Sequence, residues 1–322
     1  MTPFLFSVSN KYLVPLSFLN QFVFILLNIF RSDIIVCQFA GYHSFLPVFL
    51  ARLFFKPSLI VLGGTDCVSF PSIRYGNFQK WPLSVFTELS CKLARHLAPV
   101  HESLMRSDYS YQNLYHKQQG LKAFMPSLTT PHTTIFNGYD PAKWFRNGEK
   151  RHNTFLTVSG GLNMPFTFQL KGIDLIFEVA SYFPDCEFTI VGAEVNYNLP
   201  ASPSNVKLIP PVKNEELIAY YSRTEFYLQL SMSEGFPNAL SEAMLCECVP
   251  IVSAVGAMPD MAEGVGFILK NKNASLLTDL IKETLRSDRS NLGKQARERI
   301  QKRYPESLRG ERLIALLNEM TK

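Results

Sequence analysis

Ser231-Met-Ser-Glu-Gly-Phe-Pro-Asn-Ala-Leu-Ser-Glu-Ala-Met-Leu245 is the stretch on which the reading of the whole chain turns. Before it stands Phe226-Tyr-Leu-Gln-Leu230, an apolar run with the length of a buried strand. After it stands a second such run, Val249-Pro-Ile-Val-Ser253. Strand, tight loop, apolar helix and strand make a βαβ unit. Its loop falls at the carboxyl end of a parallel strand, where open α/β sheets bind ligands. Gly235 lets the backbone approach a ligand closely. Pro237 suits the first helical position, where its missing N–H would be unpaired anyway. The amides of Asn238, Ala239 and Leu240 are then free at a positive helix end, which suits a phosphate or a sugar oxygen. Asn238, Ser241 and Glu242 share one face by their spacing, and Ala239, Leu240, Ala243 and Met244 form the face for the sheet. Glu234 and Glu242 flank one cleft, and carboxylates accept the paired hydrogen bonds that neighbouring sugar hydroxyls offer. Either acid alone reads equally well as a loop charge or a first-turn acid. The pair, in its Gly-Phe-Pro-Asn setting, points to a site.

The segment Glu234–Met244, EGFPNALSEAM, resembles the Glu-x7-Glu motif of retaining glycosyltransferases of the large bacterial family 4. The resemblance runs from about Asp33 onward and is strongest from Lys171 to Pro259. It implies an α/β GT-B fold, two Rossmann-like domains facing a central cleft. It also implies that Glu234 and the loop Gly235, Phe236, Pro237, Asn238, Ala239 and Leu240 contact the donor sugar, with Glu242 on the ribose of the nucleotide. Lys171, in Lys-Gly-Ile-Asp, matches the family's phosphate-binding lysine. A cation at a helix start is electrostatically misplaced unless an anion meets it. The amides at Gly160 and Gly161 join it on the diphosphate, and backbone near Gly192 and Val212 meets the base.

The resemblance further implies retention: the acceptor hydroxyl attacks from the side the nucleotide leaves, and the leaving phosphate takes the proton. A departing diphosphate needs its developing charge stabilised. The chain has no Asp-x-Asp motif to hold a metal, so a lysine and helix amides are expected to do this, with a UDP- or GDP-sugar as substrate and no cofactor. Two features depart from the family. An arginine usually follows the first-strand glycine, where this chain has Ser159-Gly-Gly-Leu162. A His-Gly pair usually ends a first-domain strand, where this chain has Gly63-Gly-Thr-Asp66. Asp66 is the expected catalytic substitute, with Thr65, His43, Arg74 and His101 as candidate acceptor contacts.

Composition bounds the remaining classes. At 322 residues and 47% hydrophobic, the chain can fill one large or two medium cores. Six cysteines, at 37, 67, 91, 186, 246 and 248, show neither paired metal spacing nor a disulfide framework, which fits a reducing cytoplasm. Residues 1–150 carry 14 Lys and Arg against 7 Asp and Glu, and 17 of the 26 phenylalanines. The remainder carries 18 basic against 20 acidic residues. A basic, phenylalanine-rich half suits an anionic membrane surface or a lipid-linked acceptor, although core phenylalanines and ordinary surface charge account for it equally. Residues 12–30 barely reach the roughly 20 residues of a membrane span, and they include Pro15, Asn20 and Gln21. They read as a buried or interfacial helix.

Expected domains are 1–148, an acceptor-binding unit that looks shortened at its start; 149–305, a nucleotide-sugar unit; and 306–322, a helix returning toward the first. The first is expected to hold strands at 34–38, 58–62, 97–100 and 133–136, with helices at 43–55, 81–95 and 104–118. A long loop is expected from Ser159 to Lys171. The expected protein is a glycosyltransferase of cell-surface polysaccharide or lipopolysaccharide assembly, peripheral at the inner face of the membrane and without nucleic-acid partners. The alternative is a non-catalytic nucleotide-sugar-binding or scaffold protein on the same fold. A dinucleotide-dependent oxidoreductase is excluded because no Gly-x-Gly-x-x-Gly follows a predicted strand.

Overall fold

Short apolar runs separated by amphipathic segments fold here into parallel sheets flanked by helices. The structure is a computed structural model and describes residues 3–6, 14–112, 116–162, 165–193 and 200–322. The chain divides into two units. The first holds residues 1–107, 118–136 and 310–322, and the second holds 108–117 and 137–309. The division thus falls after Phe136, not after Gly148. Asn137 and Tyr139 already belong to the second unit, since both hydrogen-bond the side chain of Asn238. The last helix is also shared, its first turn lying in the second unit and the rest in the first.

The first unit is built on three parallel strands in the order β1 (Ile35–Gln38), β2 (Ser58–Leu62), β3 (His96–Pro99). Every residue of β2 is buried, as expected of a central strand covered on both faces. Its helices are α1 (Val14–Asn28), α2 (Tyr42–Leu53) and α3 (Leu83–Leu93). Ile25, Ile29 and Leu50 are buried together, with Phe24, Ile35, Leu46 and Phe54 packed against them. Of α1 itself only Gln21 and Ile25 are buried, so this helix is not the buried one that its composition allows. Tyr12 and Leu13 lie outside the described residues. Residues 14–31 are long and apolar enough to cross a bilayer by length and composition.

The expected strand at 133–136 is absent. In its place an extended edge runs beside β3, with a single bridge between Leu97 and His132 and further backbone bonds from Thr133 and Ile135. The expected helix at 104–118 is also absent among the described residues. Short strands β4 (Ser107–Asp108) and β5 (Gln118–Gln119) and a helical turn, α4 (Leu121–Phe124), occupy this region, and residues 113–115 lie outside the description. Tyr109 and Tyr111 explain the difference. Their hydroxyls donate to the carbonyls of Met232 and Leu230, which holds this segment extended on the second unit.

Among the described residues, the sheet of the second unit has six strands: β6 (Arg151–Val158), β7 (Glu187–Val191), β8 (Val206–Ile209), β9 (Thr224–Gln229), β10 (Val249–Ser253) and β11 (Phe267–Leu269). All are parallel, in the spatial order β11-β10-β9-β6-β7-β8. The chain winds one way from β6 through β8 and the other way from β9 through β11, so the direction reverses between β6 and β9. This is the topological switch at which open α/β sheets place their ligands. Its helices are α5 (Pro165–Leu170), α6 (Ile173–Ala180), α7 (Leu217–Arg223), α8 (Asn238–Leu245), α9 (Met258–Ala262), α10 (Ala274–Leu285) and α11 (Arg289–Arg303), with α12 (Glu306–Met320) shared. The segment expected as a long loop before Lys171 therefore contains α5, opened by Pro165 where a helix tolerates proline best. Phe155 stacks between Phe188 and Phe226 at 4.8 Å on each side, tying the three central strands together.

Candidate functional site

Because β9 and β6 are parallel neighbours, the loops leaving them emerge at the same sheet edge. The loop after β9 carries Glu234. Lys171 reaches it from the end of α5, with Nζ 2.8 Å from Glu234 Oε1. The ion pair is partly covered, the lysine side chain being 23% exposed and the glutamate 14%. Oε1 also accepts from Ser231 Oγ at 2.8 Å and from Gln229 Nε2 at 3.0 Å.

Glycine decides this geometry at two places. Gly172, at φ +70°, lies so close to β9 that a Cβ would sit 2.3 Å from the Leu230 carbonyl oxygen. Met232 N–H donates to the Leu170 carbonyl across the same junction. Together these contacts fix Lys171 beside the Glu234 loop. On the other side Gly256, at φ +58°, passes 2.1 Å from the Glu234 carbonyl oxygen as measured from an ideal Cβ, and Ala257 N–H donates to the Gly235 carbonyl.

Glu242 lies in the first turns of α8, where Oε2 accepts from Tyr221 Oη at 3.1 Å. Burial pushes its carboxyl above the ordinary value of 4.5, against the pull of the Tyr221 hydrogen bond and the nearby Lys143 cation. Asn238 is exposed, and its side-chain oxygen accepts from Tyr139 Oη at 2.8 Å. Asn137 donates both to this oxygen and to the Phe236 carbonyl, and Arg309 holds Asn137 in turn. Phe236 is buried, stacked near Tyr139 and edge-on to Tyr304, so its ring belongs to the packing. Pro237 is buried and caps α8 rather than occupying its first turn. Ser241 is fully buried, which leaves Asn238 and Glu242 as the outer members of the expected polar face. Ala239 is half-buried and Leu240 buried.

The β6 loop brings Gly160 and Gly161 to the same edge. Gly160 is exposed, with open space where a Cβ would stand. Ser159 Oγ is buried there without a hydrogen-bond partner. From the neighbouring β7, Gly192 at φ +105° touches Ser159, and a Cβ would lie 1.7 Å from the Ser159 oxygen. Val212 follows β8 and is half-buried. The second unit thus takes Glu234, Gly160, Gly161 and Gly192 from the ends of adjacent parallel strands, Lys171 from the end of α5 and Glu242 from α8. Gln229, Ser231 and Tyr221 complete the set. Gln229 and Tyr221 escape a sequence reading because they sit inside segments whose pattern reads as core, and Ser231, which opens the motif stretch, carries no pattern that marks its hydroxyl.

The remaining candidates lie in the first unit. Asp66 is corrected from catalyst to scaffold: it is buried, and its carboxylate accepts from the backbone N–H groups of Ala40, Gly63 and Gly64 at 2.9–3.2 Å. Burial raises its carboxyl even against these three amides. Thr65 is exposed and pairs with the Tyr75 hydroxyl at 2.6 Å. His43 Nε2 lies 2.8 Å from the Gln38 carbonyl across the start of α2, the role of a structural histidine. His101 caps a short 3-10 turn, its Nδ1 accepting from Ser103 N–H. Arg74 is exposed in a left-handed conformation at φ +52°.

Residues 165–302 match the family described as glycosyl transferases group 1. The matched segment is a little under half of the chain. It spans every element from α5 to α11 and so contains Lys171, Glu234 and Glu242. A stretch of 134 residues is 31% identical to the capsular polysaccharide biosynthesis glycosyltransferase CapH of Staphylococcus aureus. The match covers 38% of this chain and 37% of that relative, little more than a third of either.

Solved structures extend the likeness to nearly the whole chain. Sucrose-phosphate synthase from Thermosynechococcus elongatus superimposes with a TM-score of 0.69 at 15% identity, over 98% of this chain and 80% of its own. HepE of Anabaena, in complex with UDP and glucose, gives 0.70 at 14% identity over 97% and 84%. A mutant TarM of Staphylococcus aureus, in complex with Fondaparinux, alpha-GlcNAc-glycerol and UDP, gives 0.68 at 17% identity over 92% and 58%. At such identities the likeness establishes the fold, which is the α/β GT-B fold.

Proposed function

We propose that this chain is a retaining, metal-independent glycosyltransferase of cell-surface polysaccharide or lipopolysaccharide synthesis. It takes a UDP- or GDP-sugar as donor and a saccharide or lipid-linked molecule as acceptor, at the cytoplasmic face of the membrane. The observation that carries this reading is the Lys171–Glu234 pair at the β6/β9 switch point, with Glu242 on the following helix. Lys171 and the amides near Gly160 and Gly161 would meet the negative charge that develops on the leaving diphosphate. Glu234 would accept from hydroxyls of the donor sugar, and Glu242 from the ribose. The group 1 domain, the likeness to CapH and the UDP complexes of HepE and TarM support this assignment.

The test is calorimetry with UDP, GDP, UDP-glucose, UDP-N-acetylglucosamine and GDP-mannose in the presence of EDTA, on wild type, Lys171→Ala and Glu242→Ala. One nucleotide class should bind the wild type without metal. Each variant should weaken it by roughly ten-fold or more, as for loss of a charged hydrogen bond. Binding only when metal is added would sink the metal-independent route. Binding without turnover of any donor would favour a non-catalytic nucleotide-sugar-binding protein.

A further inference from the structure

We infer that Tyr227, Gln229 and Ser231 act as a positioning relay that holds one oxygen of Glu234 and reserves the other for the donor sugar. This rests on the donor-site reading of Glu234 given above. The three residues alternate along β9 and just past its end, so they share one face of the strand. All three are buried: Tyr227 and Ser231 are fully enclosed and Gln229 is 3% exposed.

Their hydrogen bonds run in one direction. Tyr227 Oη donates to Gln229 Oε1 at 3.1 Å. Gln229 Nε2 then donates both to Ser231 Oγ at 2.9 Å and to Glu234 Oε1 at 3.0 Å. Ser231 Oγ in turn donates to Glu234 Oε1 at 2.8 Å. An ionised carboxylate only accepts, so Ser231 and the Gln229 amide must donate toward it, and the amide oxygen must face the tyrosine. The strand beneath is fixed as well, because Ser253 Oγ donates to the carbonyl of Ser231 at 2.6 Å.

The consequence is asymmetric. Lys171, Gln229 and Ser231 all converge on Oε1, and among the described residues none of these bonds reaches Oε2. Oε2 is the oxygen left to accept from a ligand hydroxyl. The relay also settles a conflict within the site. Lys171 pairs with Glu234, yet in the donor-site reading it also serves the diphosphate. Gln229 and Ser231 are neutral donors that no phosphate draws away, so they keep Oε1 in place once the ammonium is shared. The lysine serves the leaving group and the relay serves the sugar contact.

The experiment pairs steady-state kinetics with UDP calorimetry and thermal denaturation on Gln229→Met, Ser231→Ala and Ser231→Thr. Gln229→Met keeps the side-chain length and removes the amide. Ser231→Ala removes the hydroxyl and Ser231→Thr restores it. For Gln229→Met and Ser231→Ala, kcat should fall about 10- to 100-fold, the range that a misplaced catalytic contact costs. UDP affinity should stay at the wild-type level, showing that the variants fold and that the Lys171 contact survives. Ser231→Thr should recover most of the lost kcat. Wild-type kcat in the first two variants would overturn the inference while leaving the donor site standing. So would a parallel loss of UDP affinity and kcat, which marks a purely structural role. A wild type that turns over no donor would sink the donor-site reading and this inference together.

Discussion

At the scale of single residues, Glu242 is a charge held in an unfavourable place. Burial holds its carboxyl above 4.5, so the charged form costs more in the folded chain than in the unfolded one. A raised acid contributes its full stability below the unfolded value, and that contribution is lost as pH rises through the folded one. Replacing it by glutamine removes the penalty on the charged form. Glu242→Gln should therefore melt higher than wild type at neutral pH. The gain should shrink as the pH falls toward 4.5 and close well below it, where the wild-type carboxyl is protonated in the folded and unfolded chain alike. Scanning calorimetry across that range checks it, and an equal gain at every pH would contradict it. Function and stability oppose each other here, as they do where a site needs a strained charge.

Residues also show what a sequence can carry. Glu234 and Glu242 stand out in the sequence because their spacing is set by one loop and the helix after it, whereas Lys171 stands out as a cation at a helix start. Gln229 and Tyr221 do not, since each is a polar atom on a residue whose neighbours are apolar. Asp66 misled for a physical reason: an acid after two glycines at a strand end suits a ligand site, but it suits three orphan amide N–H groups equally well. Asp66→Ala would leave those buried donors unpaired, at about 1–3 kcal/mol each. Its midpoint in urea should fall sharply, with Asp66→Asn intermediate because one acceptor oxygen remains.

At the scale of elements, the second unit was read well. β10 falls on the expected residues 249–253, because a short continuous apolar run has few alternatives in a parallel sheet. The failures came where tertiary contacts override local pattern. The segment expected as a helix after Leu104 gives up helical bonds so that the Tyr109 and Tyr111 hydroxyls can reach the end of β9. The turn between α5 and α6 shows the same dependence on a distant strand. Gly172 stands at φ +70° against the Leu230 carbonyl, so alanine there is strained twice, by its conformation and by its Cβ. Gly172→Ala should lose about 1–3 kcal/mol of stability by denaturant titration. It should also weaken UDP binding, because Lys171 is the preceding residue. Stability lost with UDP affinity intact would show that Lys171 does not depend on this turn.

At the scale of the whole molecule, charge and apolar exposure are unevenly shared. The basic excess lies in residues 1–150, and so do most of the exposed large apolar side chains. On α1 and the turn after it, Gln21, Ile25 and Ile29 face inward. Leu16, Leu19, Val23, Leu27 and Phe30 fall on the opposite face by their helical spacing, with Leu27 and Phe30 about 70% exposed. Arg31 and Arg52 are exposed, and Phe55 is 95% exposed in a left-handed conformation at φ +55°. An apolar helix face with nearby arginines is the composition of an interfacial anchor, which gains from buried apolar area and from anionic lipid. Such a surface is what the proposed lipid-linked acceptor would require. The chain should therefore sediment with vesicles containing phosphatidylglycerol and less with neutral ones. High salt should release only part of it, since screening removes the arginine contribution and leaves the apolar one. Leu19→Ser combined with Leu27→Ser changes outward residues alone, so it should reduce binding at every salt concentration without lowering UDP affinity. Equal sedimentation with and without the substitutions would remove α1 from the membrane contact. No sedimentation by the wild type would remove the membrane itself from the proposal.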